Sequence, residues 1–390
     1  MKQSEEKPET QTVAPESFPP ELLSLPAGAR QEYFEQRCFI SHPRLLETLD
    51  ATIQAICPPG IGASVRRAGT MVLVIGPSRV GKTTFIRLLE ERLLSRAKAG
   101  MLVDSTFLPF ASILAEGSES NRFEWAEYYR AVLRGLQDPF VDGKVARIRT
   151  KELRAAMKTA LIERKPLAII VDEAHHLAKA ASGSQLQSHL DHLKHFENET
   201  GVSHILVGTY EMRPFRTVNA QLACRGVDVH FSRYDATKEE DAQAFQSVLW
   251  ALQRQLPVEK EPDLLKHWEF LYARSIGCIG LLKMHLNQAL NLALTAEAKT
   301  VTLTHLRKTA LSETRVKLAL SNALESEAEL IEADGADERL LTLLGMRGRE
   351  EGVPPKIKTE GQGRASSNET RPGTRSPGRD QTGQEEEATG

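Results

Sequence analysis

The residues best suited to chemistry form a glycine-rich loop behind an apolar run. Met71 to Ile75 reads MVLVI, and the chain continues with Gly76, Pro77, Ser78, Arg79, Val80, Gly81, Lys82, Thr83 and Thr84. This stretch fills every fixed position of the phosphate-binding pattern G-x-x-x-x-G-K-[ST]. Glycines let backbone N–H groups face phosphate oxygens, Lys82 adds a mobile positive charge, and Thr83 offers a hydroxyl to Mg²⁺. The loop therefore predicts binding of nucleotide phosphates with Mg²⁺.

A second apolar run ends in two acidic residues. Leu167 to Val171 reads LAIIV and is followed at once by Asp172 and Glu173. Continuous apolar runs of this length are typical of buried parallel strands, and ligands bind beyond the carboxyl ends of such strands. We expect Asp172 to hold Mg²⁺, usually through water, and Glu173 to orient and deprotonate the attacking water.

Two further polar residues stand at predicted strand boundaries. His204 to Gly208 predicts a fourth strand, and Thr209 at its tip would lie near the γ-phosphate, between the loop and the water on Glu173. Arg225 precedes a fifth predicted strand, where an arginine can reach the γ-phosphate of a neighbouring subunit and neutralise charge in the transition state. The alternative for Arg225 is an ordinary surface arginine at a helix end.

The elements around these residues alternate between strand and helix patterns. Apolar spacing predicts a helix from Phe85 to Arg96, and a second strand is expected at Met101 to Phe107, after Gly100 ends that helix. An aromatic amphipathic helix, RFEWAEYYRAVLRGL, and a helix from Gly183 to Glu199 complete this part. The pattern predicts an α/β fold with a phosphate-binding loop, in which a five-stranded parallel sheet is flanked by helices and followed by a small helical domain, here called the lid.

Composition changes along the chain suggest five segments. We expect a disordered N-terminus at 1–20, a helical segment and loop at 21–68, the α/β ATPase domain at 69–235, the helical lid at 236–325, and a polar, largely disordered tail at 326–390. The segment at 21–68 either packs on the sheet edge or forms a wall of an adenine pocket. In the lid, Thr237 is predicted to cap a helix, and Lys283 is placed to touch nucleotide phosphates when the lid closes.

The overall charge gives no general attraction to nucleic acid. Lys plus Arg number 50 against 52 for Asp plus Glu, so any DNA contact must come from a local patch. Lys144, Arg147, Arg149 and Lys151 form such a patch, which is either a solvated helix face or a contact for the DNA backbone. The N-terminus lacks the apolar core of a signal peptide, and no run approaches membrane-spanning length, so we expect a cytoplasmic protein without membrane contact.

Together the motifs resemble those of AAA+ ATPases, and within that class the chain resembles the TniB/TnsC family of transposition regulators. The resemblance is carried by VIGPSRVGKTTFIRLL, IIVDEAHHL, LVGTYE and QLACR, with support from YFEQRCFISHPR, and it covers about Glu32 to Lys317. It implies that Thr209 is a sensor and Arg225 an arginine finger. The family has an arginine at the lid sensor position where this chain has Lys283, which lacks the bidentate fork of arginine.

The resemblance also implies a biological role. ATP bound between subunits would join them into rings or helical filaments on duplex DNA, without sequence preference. The assembly would link a target selector of the TniQ/TnsD kind to a transposase of the TnsB/TniA kind, and slow, regulatory hydrolysis would release it. Two other roles remain open: a DNA ATPase like replication initiators and helicase loaders, and a non-DNA switch in secretion or signalling.

Overall fold

The computed structural model describes the central part of the chain and short pieces beyond it. The described residues are 16–57, 69–115, 123–139, 148–179, 184–217 and 226–330, together with Leu341, Thr342, Leu344 and Met346. The chain divides into two compact units, Met1–Ile331 and Glu332–Gly390, and everything that follows concerns the first. Within the described residues, no helix combines the length and apolar character needed to cross a membrane.

A five-stranded parallel sheet forms the centre of this unit, as the sequence predicts. Its strands follow the order β2-β3-β4-β1-β5, and every pair of neighbours is parallel. The first strand is therefore an inner strand, with the fourth on one side and the fifth, an edge strand, on the other. The strand bounds are β1 (Met71–Ile75), β2 (Phe110–Leu114), β3 (Ala168–Asp172), β4 (Ser203–Gly208) and β5 (Val227–His230).

Helices follow the strands and then continue alone after the last strand. In chain order they are α1 (Ala27–Glu32), α2 (Pro43–Ile56), α3 (Lys82–Val103), α4 (Trp125–Gly135), α5 (Thr150–Arg164), α6 (His175–Lys179), α7 (Ser184–Thr200), α8 (Pro214–Thr217), α9 (Glu239–Arg254), α10 (Trp268–Ser275), α11 (Ile279–Thr295), α12 (Leu303–Thr309) and α13 (Glu313–Leu330). Short turns of 3-10 helix lie at Pro20–Ser24, Tyr210–Met212 and Leu265–His267, and a π-helical turn lies at Tyr33–Arg37.

The sheet is covered on both faces, which explains why its central strands are apolar throughout. Successive side chains of a strand point to opposite faces. On β1, Val72 and Val74 pack with α2 and α3, whereas Met71, Leu73 and Ile75 pack with α4, α5 and α7. A strand buried on both faces reads as a continuous apolar run, so MVLVI could be assigned from the sequence.

The helices after β5 bury an apolar cluster of their own. It is formed by α9 to α12, and the N-terminal segment contributes Phe34 and Cys38 to it. Tyr234, which follows β5, joins the same cluster, and its hydroxyl lies 3.0 Å from His42 Nδ1. Burial lowers the pKa of His42 to about 4, so this histidine packs as a neutral ring. The N-terminal segment and the helical region are thus packed together.

Two ion pairs fasten the helical region to the sheet domain. Arg44 of α2 binds both carboxylate oxygens of Asp241 on α9, at 2.8 and 2.9 Å. Arg233, just beyond β5, binds Glu327 of α13 through two 3.0 Å hydrogen bonds and is itself buried. Bidentate pairs of this kind fix the orientation of both partners as well as their distance.

The second strand does not lie where the sequence predicts it. Met101 to Val103 continue α3, and Leu102 and Val103 are 89% exposed at its end. The strand begins later, at Phe110, and alternates between buried and exposed residues because β2 forms an edge of the sheet. Short apolar runs suit a helix end and a strand equally, so the pattern alone could not decide between them.

Two details of the helical region also differ from the prediction. The helix after β5 begins at Glu239 with Lys238 as its N-terminal neighbour, and the Thr237 hydroxyl donates instead to Asp235 Oδ1 at 2.8 Å. The sequence also predicts one helix from Leu303 to Leu324, but the structure has two, α12 and α13, which an extended residue, Ala310, separates. The hydrogen bond from Thr237 to Asp235 accounts for the first of these differences.

Substituting Gly277 tests the packing of the helical region on the end of β5. Gly277 has a φ of +78°, and a Cβ on it would lie 2.0 Å from the Tyr234 carbonyl oxygen. We expect Gly277→Ala to lower the free energy of unfolding by about 3 kcal/mol, because it adds both backbone strain and a clash. Urea unfolding followed by circular dichroism measures this change.

Gly28 provides the matched control. It lies in α1, and a Cβ there would have nothing within 4 Å. Gly28→Ala is therefore expected to be neutral or to stabilise the protein by about 0.5 kcal/mol. Equal stability changes in the two variants would contradict the packing described for Gly277.

Candidate functional site

The phosphate-binding loop is held by close contacts at the end of β1. Gly76 follows β1, and its N–H donates to the Gly208 carbonyl at 3.3 Å. A Cβ at Gly76 would lie 2.3 Å from the carbonyl oxygen of Phe231, beyond the end of β5. Gly81 has a φ of +126°, which side chains rarely tolerate. Both fixed glycines of the motif are thus required by the backbone geometry.

Lys82 is the first residue of α3 and turns back over the loop. Its Nζ donates to the carbonyl oxygens of Pro77 at 2.9 Å and Gly76 at 3.4 Å. The side chain is buried, and burial lowers the pKa of Lys82, while the charges of Glu173 and Asp172 oppose that shift. The lysine is therefore a shielded cation near two carboxylates.

The remaining loop residues differ in exposure. Ser78, Arg79 and Thr83 are exposed, Pro77 and Val80 are buried, and Thr84 is half-buried.

The acidic pair lies at the same edge of the sheet. Asp172 ends β3, and its Oδ1 accepts the Glu173 N–H at 2.8 Å. Burial raises the pKa of Asp172, and the charge of Glu173 adds to the rise, while the hydrogen bond from the Glu173 N–H and the charge of Lys82 oppose it. Because all strands are parallel and β4 lies between β1 and β3, Asp172, Thr209 and the loop follow adjacent strand ends. The sheet thus brings together residues that are far apart in sequence.

Glu173 is held by a histidine that sequence reasoning did not assign to the site. Nδ1 of His175 lies 3.0 Å from Glu173 Oε2, and its Nε2 lies 3.6 Å from Glu211 Oε2. The Thr209 hydroxyl donates to that same Glu211 oxygen at 3.2 Å. A chain of contacts therefore runs from Glu173 through His175 and Glu211 to Thr209. The sequence did contain a signal for these contacts. Glu173 and His175 in D-E-A-H, and Thr209 and Glu211 in T-Y-E, are each two residues apart, and this spacing places each pair on one turn.

Two residues of the site have left-handed backbone conformations. Arg79 in the loop has a φ of 63° and Glu173 a φ of 51°. Such conformations are uncommon outside glycine and concentrate at functional sites, where surrounding packing maintains them. At Glu173 this conformation ends the extended backbone of β3, and the side chain lies beside His175.

The helical region touches the loop through glycine. A Cβ on Gly280 of α11 would lie 2.3 Å from the Arg79 carbonyl oxygen, so the two backbones are in direct contact. Lys283, one turn later, donates instead to the carbonyl oxygens of Cys38 at 2.7 Å and Glu35 at 3.0 Å. Its contact with nucleotide phosphates stays a prediction.

Some predicted residues lie outside the described part of the chain. These are Arg225, Lys144 and Arg147. Arg149 and Lys151 are described: both are exposed, Arg149 as the residue before α5 and Lys151 within its first turn. The structure therefore leaves the arginine finger and half of the basic patch as predictions.

The donor set suits magnesium bound to a nucleotide. Asp172 offers a half-buried carboxylate, and no lysine, arginine or histidine of the described residues lies within ion-pair distance of it. A carboxylate whose pKa is raised by burial is stabilised by a nearby cation. Thr83 adds a hydroxyl, and oxygen ligands are those that Mg²⁺ prefers. Thr83 and Asp172 are thus the residues that would hold it.

Comparison with known families agrees with this arrangement. Residues 65–215 match the family model of the AAA domain. The chain therefore carries an AAA-type ATPase domain, and its parallel sheet with flanking helices is the AAA+ P-loop fold, as the sequence predicts. Comparison with curated proteins finds no match.

Comparison with solved structures finds similarity to ORC and Cdc6p proteins. The ADP form of the Aeropyrum pernix ORC2 protein is 14% identical, with 72% of this chain and 71% of that chain covered and a TM-score of 0.49. Cdc6p from Pyrobaculum aerophilum is 16% identical, with 71% and 70% covered and a TM-score of 0.49. Drosophila ORC bound to DNA is 13% identical, with 89% and 87% covered and a TM-score of 0.45. Similarities this low carry no functional argument.

Replacing His175 tests its contact with Glu173. We expect His175→Ala to lower kcat for ATP hydrolysis about tenfold, because a general base that is no longer held in place is misaligned with its water. KM for ATP should change little, since Lys82 and Asp172 are untouched. Steady-state kinetics separate the two parameters.

His175→Asn serves as the conservative variant. Its amide can still donate toward Glu173, so it should recover most of the lost kcat. A folded His175→Ala protein with unchanged kcat would show that the contact does not position the base.

Proposed function

We propose that this chain hydrolyses ATP as a regulatory switch that assembles on duplex DNA in the bacterial cytoplasm and controls transposition. The observation that carries the ATPase is the position of Lys82, Asp172 and Glu173 at the same edge of the parallel sheet, where the two carboxylates affect the pKa of the lysine. The role in transposition is supported by the resemblance of the motifs to the TniB/TnsC family.

Each residue of the site has a separate role in the proposed hydrolysis. Backbone N–H groups of the loop and the start of α3 bind phosphate oxygens, and Lys82 moves from the loop carbonyls to the phosphates. Glu173 accepts a proton from the attacking water, and Thr209 helps to place that water. Thr83 and Asp172 would hold Mg²⁺, which would supply positive charge beside the phosphates.

Arg225 makes hydrolysis depend on a neighbour. An arginine just before the last strand of the sheet can extend beyond its own subunit and stabilise the transition state in the next site. Nucleotide bound between subunits would then favour rings or helical filaments, since a head-to-tail contact generates one or the other. Hydrolysis weakens the contact and releases the assembly.

Duplex DNA is the proposed template for this assembly. Arg149 and Lys151 are exposed at the start of α5, where the basic stretch that includes Lys144 and Arg147 enters the helix. Lysine and arginine bind the phosphate backbone without reading sequence. The assembled form would contact a transposase of the TnsB/TniA kind and a target selector of the TniQ/TnsD kind.

A variant that binds but does not hydrolyse ATP tests the switch. We expect Glu173→Gln to reduce kcat for ATP hydrolysis at least about a hundredfold, because the general base is lost, while ATP binding is kept. Negative-stain electron microscopy with ATP and linear duplex DNA should show assemblies that persist in this variant and disappear with time in the wild type.

Lys82→Ala is the control, since loss of the phosphate-binding charge should prevent assembly altogether. Rapid hydrolysis by Glu173→Gln would place the general base elsewhere. Monomers alone, with ATP and with a non-hydrolysable analogue, would contradict assembly on DNA. If ATPase activity and assembly are the same with and without DNA, a non-DNA switch is favoured.

Charge reversal tests the basic patch. Replacing Lys144, Arg147, Arg149 and Lys151 by Glu should weaken duplex binding about a hundredfold or more at low salt, because phosphate contacts supply most non-specific affinity. Fluorescence anisotropy of a labelled duplex at several salt concentrations measures both the affinity and its salt dependence.

A second quadruple variant with the same change in net charge provides the comparison. Exposed residues of the helical region, Lys260, Lys266, Lys299 and Arg307, are replaced by Glu. Duplex binding should be largely retained there. Equal losses in both variants would show that net charge, and not the patch at α5, governs the affinity.

A further inference from the structure

An open cleft of about 310 Å³ lies where α4, α5 and α7 meet. Its lining combines three aromatic rings, from Trp125, Tyr129 and His192, with the polar side chains of Lys151, Arg154 and Ser188. No lining residue belongs to the phosphate-binding loop or to the acidic pair. We propose that this cleft binds one unpaired nucleotide, with its base against the aromatic rings and its phosphate on Lys151 and Arg154.

The positive charge of the cleft is not neutralised by a neighbouring carboxylate. Among the described residues, neither Lys151 nor Arg154 lies within ion-pair distance of an Asp or a Glu, and no carboxylate lines the cleft. The half-buried Arg154 guanidinium lies over the Phe196 ring, 5.5 Å from its centroid. Lys158, one turn later on α5, is by contrast paired with Glu199 at 2.6 Å. The cleft therefore presents cations to an anion.

The aromatic wall is fixed before any ligand binds. The Trp125 ring, which is partly exposed, contacts the His192 ring edge-to-face at 4.3 Å between centroids. The Tyr129 hydroxyl is hydrogen-bonded to His192 Nε2. Burial, together with the charge of Arg154, lowers the pKa of His192 to about 4, so the ring is neutral at physiological pH. Rings held in this way offer a stacking surface without further loss of side-chain freedom.

This combination of groups favours a nucleotide over other anions. An inorganic phosphate would use the two cations and leave the rings without a partner, and phosphopeptide sites are built mainly from arginine clusters. Aromatic rings beside cations are the arrangement with which proteins bind unpaired bases and their phosphates. The volume is at the small end of ligand pockets, which suits one nucleotide unit. That unit can come from a single strand or from a free mononucleotide.

The test uses the full chain carrying Lys82→Ala, so that the phosphate-binding loop does not bind the probe. A fluorescently labelled oligothymidylate of about ten nucleotides is titrated with protein and followed by anisotropy. Trp125→Ala and Arg154→Ala should each weaken binding about tenfold, since each removes one half of the site. Trp125→Phe should retain most of the affinity because it keeps a ring. Lys158→Ala, whose lysine is already paired, should leave binding unchanged.

Competition then identifies the source of the nucleotide. Displacement of the oligonucleotide by dTMP points to a free mononucleotide, and failure of dTMP to displace it points to a single strand; both results support the proposal. Three results would overturn it: no oligonucleotide binding, binding that Trp125→Ala and Arg154→Ala both leave unchanged although circular dichroism shows them folded, or displacement by a phosphoserine peptide but not by dTMP. ATP hydrolysis does not enter the readout, so the outcome is independent of the proposed switch.

Discussion

The structure depends on the close approach of backbone segments at the end of β1. Gly76 lies against the Phe231 carbonyl on one side and hydrogen-bonds Gly208 on the other, so the ends of β5 and β4 frame the loop. Only a residue without a Cβ fits between them. This contact sets the position of Lys82, whose pKa is affected by the charges of Asp172 and Glu173. A parallel sheet is the frame that makes it possible, because parallel strands end at one edge.

The helical region is joined to that edge at several points. Gly280 contacts the Arg79 backbone in the loop, while Arg44 with Asp241 and Arg233 with Glu327 connect the same region to α2 and to the end of β5. Removing one partner of a buried pair is costly because the other charge is left unpaired. These contacts connect the loop and the sheet to the helical region. In the proposed switch, this connection would provide a physical route from nucleotide binding to assembly.

Charge in this protein acts locally. The chain is nearly neutral overall, yet the start of α5 presents Arg149 and Lys151 to solvent, and Arg154 faces the cleft beside them. Exposed charges act over about 10 Å at ordinary salt, so such a cluster attracts phosphate whatever the net charge is. Duplex binding on the outer face and nucleotide binding in the cleft would share Lys151, but only the cleft contains the aromatic rings.

The sequence by itself determined the fold class, the phosphate-binding loop and strands β1, β3 and β4. Each of these is local: a buried strand is a continuous apolar run, and the loop is a contiguous pattern of residues whose backbone geometry demands glycine. The tertiary structure decided what depends on distant partners. It placed β2 at Phe110, because an edge strand with one exposed face carries a weak pattern. It also grouped Trp125, Arg154 and His192 around one cleft, because contacts between separate elements leave no spacing in the sequence.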